Sequence, residues 1–126
     1  MFCRQLYVDD HTSKEFKKIC TQFHEKKFPS GIYVIALSKI SGRVEYFDCK
    51  ELKQKFYQET EQYPLVIGLA KNVQNAAYIV QKLIEETYEA TGTADVKTYL
   101  KSKVDAIKAK KNSIYEFTVF VQEGDE

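Results

Sequence analysis

The feature that most constrains this chain is an apolar run that passes through two polar residues into a long amphipathic segment. Pro64-Leu-Val-Ile-Gly-Leu-Ala70 has the composition of a covered strand, Lys71-Asn72 makes a tight turn, and apolar residues then recur at helical spacing as far as Gly92. Asn72 is a good helix N-cap, and Val73, Ala76, Ala77, Val80, Leu83, Ile84 and Thr87 define the predicted buried stripe. A strand feeding directly into a helix requires a fold that mixes α and β.

The rest of the chain divides in the same way. Phe2 to Val8 reads as a strand, and Thr12 with Glu15 makes a capping box for a helix over Ser13 to Lys27, stopped by Pro29-Ser30-Gly31. Gly31 to Ser38 is apolar on both alternating faces, as a central strand is, and Arg43 to Phe47 pairs with it as a hairpin. A short helix from Lys50 to Tyr57 follows. Beyond Gly92, Val96, Leu100, Val104 and Ile107 mark a fourth helix over Thr93 to Lys110. Ile114 to Gln122 alternates with Tyr115, Phe117, Val119 and Val121 on the covered side, and the acidic end from Glu123 to Glu126 is expected to fray.

The predicted order is therefore β-α-β-β-α-β-α-α-β. It specifies a single α+β domain over residues 1–126, a mixed sheet of about five strands with helices packed on it in two layers. With 126 residues, 44% of them apolar and 29% charged, such a domain buries roughly two thirds of its unfolded surface around one core. No repeat or flexible linker suggests a second unit.

The first six elements resemble the ferredoxin-like arrangement, two βαβ halves forming an antiparallel sheet with helices on one face. The stretch Tyr63 to Leu100, with Val-Ile-Gly-Leu-Ala-Lys and Glu-Glu-Thr-Tyr-Glu-Ala-Thr-Gly, is also similar to small bacterial proteins, a resemblance that implies no function.

Charge and cysteine usage narrow the function classes. The formal net charge is +1, which recruits neither nucleic acid nor an anionic membrane. Cys3, Cys20 and Cys49 are widely spaced and odd in number, so reduced thiols rather than a disulfide framework are expected. The N-terminus lacks the apolar core of a signal peptide and no run reaches bilayer length, which points to a cytoplasmic protein. No cofactor, metal or catalytic set is expected from any motif.

Five groups of residues carry weaker signals. Lys71 and Asn72 sit where a strand meets a helix N-terminus, a place that favours anions, although the glycine-rich phosphate loops are absent and Gly68 suits close helix packing. Cys20 and His24 are four apart on the first helix, the spacing of a metal pair or an activated thiol, yet Cys20 lies in the stripe Phe16, Ile19, Phe23 of a buried, inert face. Glu85, Glu86 and Glu89 read as a solvated face. The lysines from Lys97 to Lys111 make the fourth helix basic without the aromatic platforms of a nucleic-acid module. Tyr78 falls opposite the predicted stripe, among Gln74, Lys82 and Glu85, where an aromatic suits a protein contact.

The sequence thus favours a small non-enzymatic interaction or regulatory module that self-associates through Tyr78, Lys82 and Glu85. A small-anion or metabolite binder at Lys71-Asn72 is the alternative, and an enzyme built on Cys20 and His24 ranks third.

Overall fold

In the computed structural model, which describes residues 1–38, 41–60, 62–108 and 115–120, five strands form one mixed sheet. The strands are β1 (Phe2–Asp9), β2 (Tyr33–Leu37), β3 (Val44–Asp48), β4 (Leu65–Ala70) and β5 (Glu116–Phe120). The helices are α1 (Asp10–Lys14), α2 (Phe16–His24), α3 (Lys55–Thr60), α4 (Val73–Thr91) and α5 (Val96–Lys108), with a 3-10 turn at Cys49–Lys53. The α+β class and the element order agree with the sequence reading once the first helix is split at Glu15. Lys110, Lys111, Ile114 and the acidic end lie outside the described residues.

Across the sheet the order is β3-β2-β4-β1-β5, with β1 parallel to both β4 and β5, and β2 antiparallel to β3 and β4. This is not the antiparallel ferredoxin-like sheet. Helices also cover both faces, giving three layers where two were expected. Leu6, Val8, Val34 and Val66 point to α2, where they meet Ile19 and Phe23. Their neighbours Tyr7, Ile35 and Ile67 point the other way, to Ala76, Ile79 and Leu83 of α4 and Leu100 of α5. The strands are apolar on both sides because each side has its own core. The need for a partner subunit to cover an open sheet face therefore disappears.

Several local expectations change with their physical causes. Asp9, not Thr12, caps the first helix, because its carboxylate accepts the Thr12 N–H at 2.9 Å. On α4 the buried stripe is Asn75, Ala76, Ile79, Leu83 and Thr87, while Val73 and Ile84 are exposed. The stripe is rotated because α4 must face both the sheet and α5. Phe117 and Val119 of the outer strand β5 are exposed, and Phe120 packs inward against Tyr7 with ring centroids 6.1 Å apart. Asn72 and Gly92 bound α4 as expected, the first accepting the Asn75 N–H at 2.8 Å and the second adopting the left-handed conformation.

Gly68 serves strand approach, not helix packing. A Cβ there would lie 2.4 Å from the Tyr7 carbonyl oxygen and 2.9 Å from a methyl of Ile35, at the point where both β1 and β2 shift register against β4. Gly68→Ala is therefore expected to lower the unfolding free energy by about 1–3 kcal/mol through forced strand separation. Chemical denaturation measures this, and a midpoint equal to wild type would show that the sheet opens there without cost.

Candidate functional site

Parallel neighbours β1 and β4 send their following helices to opposite faces of the sheet. Such a switch point opens a crevice beyond the strand ends, the usual ligand position in open α/β sheets. Here the crevice contains Asp9, which is 4% exposed. Its Oδ1 accepts the Thr12 N–H, and its Oδ2 accepts the Lys71 N–H at 2.8 Å and Asn75 Nδ2 at 2.9 Å. The Thr12 hydroxyl lies 2.8 Å from Asp9 Oδ1 and 2.9 Å from the Leu69 carbonyl, with one proton to share between them. Burial pushes the Asp9 pKa up, but the hydrogen bonds from Asn75, Lys71 and Thr12 outweigh it and hold the carboxyl below its ordinary value. Lys71 and Asn72 thus flank a position already filled by the protein's own anion.

A second polar cluster ties α4 and α5 to the sheet. Glu86 Oε2 accepts the Tyr7 hydroxyl at 2.6 Å and the Tyr99 hydroxyl at 2.8 Å, with Lys103 Nζ at 3.3 Å. Glu86 belongs to this inward group, whereas Glu85 and Glu89 face solvent as expected. Burial raises the Tyr7 pKa strongly, and the hydrogen bond to Glu86 raises it further. For Glu86, burial alone would raise the pKa, but the Tyr7 and Tyr99 hydroxyls and the Lys103 charge bring it below the ordinary value. Lys103 is therefore subtracted from the basic face of α5.

Tyr78 is half-buried rather than presented to solvent. Its ring meets Phe120 edge-on at 6.2 Å, and Lys82 Nζ lies 5.4 Å from its centroid. Lys82 also pairs with Glu85 at 3.3 Å. Tyr78, Lys82 and Glu85 are brought together, as partners of one another.

A concavity lies at the opposite end of the sheet, where β1 and β4 begin. It measures about 540 Å³ and lies between the second half of α2 and the segment Tyr63-Pro64-Leu65. Phe2, Phe23 and Leu65 supply apolar walls; Cys20, His24 and Lys26 add polar atoms; Tyr63 and Tyr115 contribute rings. Phe2 stacks on Phe23 at 5.4 Å and Tyr57 on Tyr63 at 5.8 Å, so the walls are fixed by aromatic packing. Tyr63 is 9% exposed, and its buried Oη has no hydrogen-bond partner among the described residues. Cys20, expected to be fully buried, is half-buried on this wall, and His24 is exposed.

The i, i+4 spacing on α2 picked out Cys20 and His24. Lys26, Tyr63 and Tyr115 carried no such signal, because tertiary folding alone brings them beside α2. Among the described residues, no three His, Cys, Asp or Glu side chains are grouped to hold a metal ion, and no helix is long and apolar enough to cross a membrane.

Glu86→Ala removes the shared acceptor of two hydroxyls and leaves the buried Tyr7 O–H unpaired, so it is expected to cost about 2 kcal/mol at pH 7. Because the folded Glu86 pKa is depressed, this contribution is complete above the unfolded carboxyl pKa, about 4.3, and fades as pH falls through the folded value. Urea unfolding of both proteins from pH 7 to pH 3 should show their difference shrinking with acid. A difference independent of pH would remove the charged form of Glu86 from the account.

No protein-family model, curated protein or solved structure matches the chain, so its function rests on the geometry of these residues.

Proposed function

We propose that this chain is a small-molecule-binding domain whose ligand occupies the cavity between α2 and the starts of β1 and β4. The observation that carries this reading is a cavity of about 540 Å³ walled by the aromatic rings of Phe2, Phe23, Tyr63 and Tyr115. Ligand sites in proteins commonly enclose roughly 300–1,000 Å³, mostly apolar with a few polar groups that fix orientation. At the switch-point crevice, by contrast, Asp9 already fills the anion position and is satisfied from several sides.

Cys20 reports on occupancy. Cys3 and Cys49 are buried, and burial raises both thiol pKa values; that of Cys49, whose Sγ lies 2.7 Å from the Pro29 carbonyl, is pushed up to about 12. In the native protein a disulfide reagent should therefore label Cys20 well before the other two, and Cys20→Ser should abolish the fast phase. Millimolar indole should slow that phase and shift the amide signals of Cys20, Phe23 and Leu65 in a saturable way. Unprotected labelling with no saturable shifts would remove the cavity as a binding site.

A further inference from the structure

We propose that one flank of α4 is an interface for a second copy of this chain, the two helices packing antiparallel about a twofold axis beside Val80 and Gln81. Val73, Ala77, Val80, Ile84 and Tyr88 fall within about 80° of one another around the helix. They have the period of a buried stripe, yet Tyr88 is 62% exposed, Val73 41% and Ile84 39%, with Ala77 and Val80 half-buried. No charged residue of α4 falls in that sector. The opposite flank is occupied within the chain, where Tyr78 meets the Phe120 ring and Glu86 accepts the Tyr99 hydroxyl. The apolar flank therefore turns away from α5 and β5, toward the β3 edge of the sheet. There Tyr46, exposed, shares a face of β3 with Val44, which packs on the core beneath α4. A line of exposed apolar side chains over about four turns marks a contact surface.

The flank is complementary to itself when reversed. In an antiparallel pair centred between Val80 and Gln81, Tyr88 lies opposite the partner's Val73 and Ile84 opposite the partner's Ala77, a larger side chain against a smaller one at each level. A parallel pair would set each residue against its own copy, with Tyr88 crowding Tyr88 and a gap where Ala77 meets Ala77. Charge favours the same orientation. Lys71, exposed just ahead of α4, comes beside the exposed Glu89 at the far end of the partner's helix. The positive end of each helix dipole also meets the negative end of the other. These matches belong to two identical flanks, and they commit the surface to a second copy rather than an unrelated helix.

Sedimentation equilibrium of the full chain at concentrations up to about 1 mM tests the proposal. Wild type should show a reversible monomer–dimer equilibrium, and Ile84→Glu should weaken it by about tenfold or more. At a dilution where both are monomeric, the variant should melt with the wild type, because Ile84 is exposed in the single chain. Glu89→Lys should weaken the dimer several-fold, and adding Lys71→Glu should restore it. Orientation is read by crosslinking in a Cys20→Ser background with a short bis-maleimide. Gln81→Cys, beside the axis, should give a covalent dimer, whereas Gln74→Cys, about 20 Å from its copy along the helix, should not. A wild type that stays monomeric overturns the proposal and leaves the flank to a different protein. A dimer unchanged in Ile84→Glu also overturns it, and equal crosslinking at positions 74 and 81 overturns the antiparallel pairing.

Discussion

A buried carboxylate with neutral donors holds the carboxyl end of this sheet together. Asp9 ends β1, caps α1 and accepts hydrogen bonds from Lys71 and Asn75 at the start of α4. One side chain thus joins the two parallel strands and the helices that leave them in opposite directions. Burying a charge is costly unless its oxygens are well hydrogen-bonded, and the donors around Asp9 meet that requirement. The N-terminus of α4 adds the favourable end of its dipole. Within the sheet, Gly68 allows the strands to approach closely enough for these bonds to form.

This arrangement separates the two ends of the molecule. At the carboxyl end, where doubly covered sheets usually bind ligands, the protein supplies its own anion and the donors are occupied. At the amino end the ring-lined walls leave a cavity of about 540 Å³. Tyr7, Glu86, Tyr99 and Lys103 belong to neither end; they fasten α4 and α5 to the opposite face and are satisfied by one another.

Local signals carried the class and the element order. Pro64 to Gly92 was readable because a buried strand, an N-cap and a left-handed glycine each leave a short-range mark. The layer count was not readable, since a strand apolar on both faces is compatible with two helical covers or with a partner. The α4 stripe went astray because Val73 and Ile84 share the helical spacing of buried residues, whereas the second contact with α5 turns Ile79 inward. At the cavity, spacing along α2 revealed Cys20 and His24. Tyr63 and Lys26 lie 37 residues apart in sequence, so only the fold shows them together.

The role of Asp9 is tested most directly by the pH dependence of unfolding in wild type and Asp9→Asn. Asparagine nearly preserves the shape but replaces one acceptor oxygen with an amide that faces existing donors. The account predicts a loss of about 2–4 kcal/mol at pH 7. Since the folded Asp9 pKa lies below its ordinary value, the wild-type advantage is full above about pH 4 and declines as the carboxyl is protonated in the folded state. An Asp9→Asn protein as stable as wild type at pH 7, with the same acid profile, would contradict the claim that this carboxylate holds the sheet's carboxyl end.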